Sequence, residues 1–201
     1  MDPRPGGHAV ALEKRQLATA SSRTSSDGGV LVFQSRADLA GYDSGEDPQV
    51  YRYEADSGSL ACLSCPPTGT APSGGALLQS LGSQDVRAPL GPSGFVPNLA
   101  SEGERVFFES TEALLSTDTD GLRDVYEWEA QGIGSCTRPQ GCVHLISPEA
   151  SREDEYLFGH SADGEDVFFV SSDVLVAKDE VTRSIYDARI GGGFAAPQAS
   201  A

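Results

Sequence analysis

The chain repeats itself three times, and whatever fold it adopts must accommodate three equivalent units. Ser26-Asp27-Gly28-Gly29-Val30-Leu31-Val32-Phe33 lies over Ser101-Glu102-Gly103-Glu104-Arg105-Val106-Phe107-Phe108 at a shift of 75 residues, without a gap. The same shift carries Ser35 to Ser110, Leu39 to Leu114, Asp43 to Asp118, Val50 to Val125 and Tyr51 to Tyr126. A third copy follows at a further shift of 61, as Asp163-Gly164-Glu165-Asp166-Val167-Phe168-Phe169, then Ser171, Leu175 and Asp179. After a one-residue deletion it ends on Ile185-Tyr186.

Each copy reads as strands joined by turns. Asp-Gly or Glu-Gly supplies a turn, because glycine takes positive φ without strain and an acidic side chain bonds its own backbone. The β-branched and aromatic runs that follow, Val30 to Phe33, Val106 to Phe108 and Val167 to Val170, are strand-length and apolar at both parities, which predicts cover on both faces. A further strand is read at Gln49 to Tyr53, Asp124 to Trp128 and Ser184 to Asp187, and another at Leu60 to Ser64 and Cys142 to Ser147. Gly94 to Leu99 and Tyr156 to His160 are read as first strands of their units.

Four short strands in roughly 45 residues match a propeller blade. The expected fold is all-β, a partial β-propeller of about three four-stranded antiparallel blades, with a β-sandwich as the alternative. The expected division is an N-terminal extension over 1–16, blades over 17–65, 94–148 and 149–190, a Pro/Gly/Ser-rich insertion over 66–93 with a short ordered piece at Ala76 to Leu81, and a flexible tail over 191–201. Three blades are too few to close a ring, which predicts self-association through open blade faces and a chain that belongs to a longer parent.

The pattern of Ser-Asp-Gly, an apolar strand ending in Phe, then Leu, Asp and a Val-Tyr strand resembles the TolB-like or WD40-like (PD40) β-propeller repeat of bacterial envelope and secreted proteins. Asp118-Thr119-Asp120-Gly121-Leu122-Arg123-Asp124-Val125-Tyr126 resembles that repeat's loop and third strand most closely. The departures are the long insertion and Ala188, which stands where the earlier copies carry Tyr53 and Trp128. The resemblance implies a repeat scaffold and no particular activity.

A net charge of −16, with basic residues scattered singly, argues against nucleic acid and anionic membrane as partners. No apolar run approaches the roughly 18 to 20 residues that span a bilayer. Met1 to Gly7 shows no signal peptide, so the expected extracellular or cell-envelope location is that of the intact parent. Four cysteines fall in two close pairs, Cys62 with Cys65 and Cys136 with Cys142. Local disulfides, a four-thiolate zinc site and free buried thiols are the readings open to them.

Catalytic patterns are missing from the sequence. His8, His144 and His160 are far apart, Gly159-His160-Ser161 does not have nucleophile-elbow spacing, and no phosphate loop or dinucleotide fingerprint occurs. The one constellation with chemical content is Asp118-x-Asp120-Gly121-x-x-Asp124, whose alternate carboxylates before a glycine can converge on calcium. Carboxylates that merely turn a loop are the competing reading. Asp43, Glu46 and Asp47 form a poorer first version, and Asp179 and Glu180 remain in the third. The functional expectation is a non-catalytic module that binds a protein, peptide or glycan, or serves as a scaffold. The alternative is the substrate-gating propeller of a serine peptidase or other hydrolase whose catalytic domain lies elsewhere.

Overall fold

A computed structural model describes residues 21–66, 73–78, 96–176, 179 and 183–190. The N-terminal extension with His8, most of the insertion, Glu180 and the tail lie outside the described residues.

Those residues form three antiparallel sheets. The first runs β1 (Ser22–Thr24), β2 (Val30–Ser35), β3 (Gln49–Glu54) and β4 (Ser59–Cys62) in chain order. In the second, β5 (Ala76–Leu77) and β6 (Leu99–Ala100) both pair with β7 (Arg105–Ser110), followed by β8 (Asp124–Glu129) and β9 (Cys142–Leu145). The third holds β10 (Tyr156–His160), β11 (Asp166–Ser171) and β12 (Ser184–Arg189). No helix among the described residues is long and apolar enough to cross a membrane.

The repeat columns are hydrogen-bond devices. Ser25 Oγ accepts the Val30 N–H (2.9 Å) and donates to Asp27 (2.6 Å), which accepts the Gly29 N–H (2.8 Å). The third copy rebuilds this turn: Ser161 Oγ accepts from Asp166 N (3.0 Å) and donates to Asp163 (2.5 Å), and Asp163 accepts from Glu165 N (3.2 Å). The middle copy has Ala100 in place of that serine, and its turn differs. There Ser101 and Glu102 are left-handed (φ 48° and 54°), and Glu102 reaches the first sheet to accept from Ser26 N (2.9 Å) and Oγ (2.8 Å).

The tyrosine column stacks across the strand pair on a phenylalanine in every sheet, as Phe33–Tyr51, Phe108–Tyr126 and Phe169–Tyr186, with centroids 5.7, 6.0 and 5.9 Å apart. In the last two copies the hydroxyl accepts the backbone N–H of Leu114 (3.3 Å) or Leu175 (3.2 Å) and donates to Asp118 or Asp179. This explains why Leu, Asp and Tyr recur together.

One face of each sheet packs on the opposite face of the next. Val30, Val32 and Val50 meet Val106, Phe108, Tyr126 and Trp128 in a first core, while Phe107 and Val125 on the other face of the second sheet meet Leu157, Val167 and Phe169 in a second. Val32, Val50, Val106, Phe107, Phe108 and Val125 are fully buried, each contributing roughly 1.5–3 kcal/mol. All six residues of β7 and of β8 are buried, as expected for strands covered on both faces. The first and third sheets depart from that expectation: β2 and β11 alternate buried and half-buried, and β12 alternates half-buried and exposed, with Ile185 50% exposed, because among the described residues only one face of each of these sheets is covered.

The inserted chain enters the second sheet rather than preceding it. Ala76 pairs with Ser110 and Leu77 with Glu109, while Leu99 pairs with Val106 and Ala100 with Arg105. On the 61-residue shift these match the pairings of β10 with β11, so β5 and β6 are the two halves of one strand position. Asn98 closes the gap between them, its side-chain amide donating to the Leu78 and Phe107 carbonyls. Part of the segment read as an insertion is thus a sheet component, together with the expected ordered piece at Ala76.

Candidate metal centre

Asp118 and Asp120 lie on the chain joining β7 to β8 and Asp124 opens β8, and each offers an oxygen within 4.8 Å of the others. Oxygens grouped this closely can converge on a common ion. Among the described residues this is the one such cluster of three or more acidic, histidine or cysteine side chains. Glycine follows Asp120 at φ +69°, turning the chain back toward Asp124.

The oxygens divide into engaged and unengaged ones. Asp118 Oδ2 accepts from the Tyr126 hydroxyl, and Asp124 Oδ1 from Ser147 Oγ (2.6 Å). Asp120 accepts from Leu122 N (2.8 Å) and Ser151 N (2.5 Å). Asp118 Oδ1 and Asp124 Oδ2 are buried without a hydrogen bond. Burial, reinforced by the charges of Asp118, Asp120 and Glu155 and opposed by Ser147, lifts the Asp124 carboxyl to about 7; burial likewise raises Asp118.

A fourth carboxylate stands at the edge of this cluster. Glu155, just before β10, is fully buried; its Oε1 accepts from Ser171 Oγ (2.8 Å) and its Oε2 has no hydrogen bond. Its backbone N–H donates to the carbonyl of Arg123 (2.7 Å), the residue next to Asp124. Burial, with the charges of Asp173 and Asp120, raises it to about 7. In the sequence Glu155 sits in the charged run Arg152-Glu153-Asp154-Glu155, yet it is fully buried, with its backbone bonded to the β7–β8 connection and its carboxylate to Ser171 of its own sheet.

Among the described residues the weaker versions of the motif form no such cluster. Asp43 is exposed and turns back to accept from Gly45 N (3.0 Å), and Glu46 is exposed. Asp179 accepts from Tyr186.

Cys62 bridges Cys65 and Cys136 bridges Cys142, with Cα atoms 5.6 Å apart in each pair, so the zinc and free-thiol readings fall away. Two disulfides suit an oxidising environment. His144 Nε2 lies 3.2 Å from Glu129, and the His160 ring lies against Phe107 (4.8 Å) with Nδ1 2.6 Å from the Ser161 carbonyl. Burial holds His160 below its ordinary value against the pull of that carbonyl. The two histidines serve different sheets' packing and do not meet the acidic cluster in the contacts described above. Compared with known proteins, the sequence matches no family model and no curated relative.

Proposed function

We propose that this chain is a non-catalytic β-propeller repeat segment of the TolB-like or WD40-like kind, acting as a binding or scaffolding module of an exported protein. The observation that carries this reading is the recurrent joint between sheets. Gln34 Oε1 accepts the Leu78 N–H (3.1 Å) from the second sheet, and at the equivalent position Glu109 Oε1 accepts the Leu157 N–H (2.9 Å) from the third. A joint that repeats is one that can be extended. The terminal faces carry apolar side chains suited to further sheets, Tyr53 and Leu60 on the first, Ile185 on the third, with Leu175 in the connection to β12. The two disulfides support an oxidising location. The acidic surface and exposed loops suit a protein, peptide or glycan partner better than a polyanion.

Sedimentation velocity over a concentration series tests the reading, with Ile185→Lys beside the wild type. The expected result is concentration-dependent association that Ile185→Lys weakens, with a broad thermal transition. A monomer at every concentration with one sharp transition overturns it.

A further inference from the structure

The junction between the first and second sheets and that between the second and third share a backbone but not a chemistry. At the first, Val50 N donates to Ser64 Oγ (2.9 Å) and Ser64 to Gln49 Oε1 (2.7 Å), while Ala76 N donates to the Pro48 carbonyl (2.7 Å). At the second, Val125 N donates to Ser147 Oγ (3.0 Å) and Ser147 to Asp124 Oδ1 (2.6 Å), while Glu155 N donates to the Arg123 carbonyl (2.7 Å). Gln49 therefore corresponds to Asp124 and Ala76 to Glu155, and the 75-residue shift places Gly45 opposite Asp120.

At the positions of Asp120, Asp124 and Glu155 neutral residues build this junction once already, and only the Asp118 position is acidic in both, as Asp43. The fold does not require carboxylates there, and a buried unpaired carboxylate costs several kcal/mol. Nor does a basic side chain neutralise them: Arg123, the nearest in sequence, is directed to Glu109 (3.9 Å) and stacks over Tyr156 (5.5 Å). Asp118 Oδ1 and Asp124 Oδ2 within the cluster, and Glu155 Oε2 on the residue whose N–H bonds the Arg123 carbonyl beside it, are buried without a hydrogen bond. Acids concentrated at one of two equivalent corners, with unengaged oxygens, call for a positive charge that no basic side chain among the described residues is seen to supply.

We propose that Asp118, Asp120, Asp124 and Glu155 form a site for one divalent cation at the junction of the second and third sheets, where the ion joins the β7–β8 connection to the start of β10. The oxygen-only donor set selects a hard ion over zinc. Calcium fits best, since it accepts an irregular set of six to eight oxygens, whereas magnesium demands a near-octahedral shell and keeps its water. Three donors come from the β7–β8 connection and the start of β8, and the fourth from the next sheet, so the ion acts as a staple between repeats. The inference stands apart from the scaffold reading, because it concerns a junction inside the chain and not its terminal faces.

The test is calorimetric titration of the full chain, stripped with chelator, with calcium chloride and separately with magnesium chloride, accompanied by thermal melts in calcium and in chelator. The wild type is expected to bind one calcium per chain, more tightly than magnesium, and to melt higher in calcium. Asp124→Gln and Glu155→Ala install the residues of the first junction. Each is expected to weaken calcium binding at least tenfold while melting in chelator no lower than the wild type. Asp120→Asn, at a half-buried position, provides a variant that keeps the shape of the loop should either of the others fail to fold, and it is expected to weaken binding in the same direction. Absence of both binding heat and a calcium-dependent melting shift in the wild type overturns the proposal, as does undiminished binding in Glu155→Ala or in Asp120→Asn. These readouts are taken at a concentration below the onset of association, so their failure leaves the scaffold reading untouched.

Discussion

Replacing Arg105 with leucine should produce a large, pH-dependent loss of stability. Arg105 sits at the start of β7 with its side chain 7% exposed, and its guanidinium contacts Glu127 (2.5 Å) and Glu129 (2.9 Å), whose side chains are each 5% exposed. His144 adds a weaker contact to Glu129 from β9. Leucine keeps the apolar stem but leaves two buried carboxylates facing each other, and breaking a buried pair in this way costs about 3–5 kcal/mol. For a chain of this length that is a fall of roughly 10 °C in melting temperature. The pH dependence fixes the cause. Burial already holds the Glu127 carboxyl above its ordinary value against the pull of Arg105. Without the arginine the Glu127 carboxyl rises further, so the variant is penalised above its unfolded value and the penalty grows as pH rises through the folded one. Urea denaturation at pH 7.5 and at pH 5, followed by the fluorescence of Trp128, the single tryptophan, should therefore show a deficit that shrinks at the lower pH. The triple change Arg105→Met, Glu127→Leu, Glu129→Leu should recover most of the loss. A deficit under about 1 kcal/mol, or one of equal size at both pH values, would refute the assignment of these charges as a desolvated, mutually dependent group.

Three further outcomes are expected. In chelator, the wild type should lose stability as pH rises from about 5 to about 8, because Asp124 and Glu155 are lifted to about 7 in the folded chain and must ionise while buried; Asp124→Gln should flatten that slope in chelator melts. Gly164→Ala should destabilise by roughly 1–3 kcal/mol in denaturant titration, since φ is +74° there and a Cβ would stand 2.7 Å from Arg105 Cδ and 2.9 Å from Ala100 Cβ. Peptide mapping of unreduced protein should find no alkylated cysteine and no bridge between the two pairs, and removing the Cys136–Cys142 bridge by a double alanine change should lower stability by about 2 kcal/mol.

What the sequence disclosed was whatever is settled within one repeat. The Asp-Gly turns could be read because Asp27 and Asp163 each accept a backbone N–H two residues on, while Ser25 and Ser161, which complete the turns with bonds that span at most five residues, stand outside the aligned run. Asp118, Asp120 and Asp124 could be read for the same reason. What escaped was settled between repeats. The split first strand of the second sheet depends on Asn98 reaching Leu78 across residues 79–95, and no local pattern announces it. Glu109 and Glu155 look like solvated charges in the sequence, yet both are buried and each is bonded to the chain of the neighbouring repeat. The half-covered β12 shows the same limit from the other side: its apolar pattern states what could be buried, not what is.

The two junctions differ in a way that bears on how such a repeat array avoids mispairing. With equivalent joints, in which the side-chain oxygen of Gln34 accepts from Leu78 N and that of Glu109 from Leu157 N, sheets could in principle stack in the wrong order, as arrays of near-identical repeats do when they misassemble. The side chains around the joints are not interchangeable. The register position that holds Val30 in the first sheet holds Arg105 in the second and Asp166 in the third, and the turn glycine of the following sheet lies directly on the first two: a Cβ on Gly103 would be 2.8 Å from Val30, and one on Gly164 2.7 Å from Arg105. If the third sheet were set on the first, Val30 would take the place of Arg105 beneath Gly164, and Glu155 would be buried beside Gln49 in place of Asp124. If the second sheet took the place of the third, Ala76 would stand where Glu155 lines the acidic corner. Each wrong order breaks up the set of four carboxylates and with it the proposed cation site, so when the ion is bound the charged positions help fix the order of the sheets.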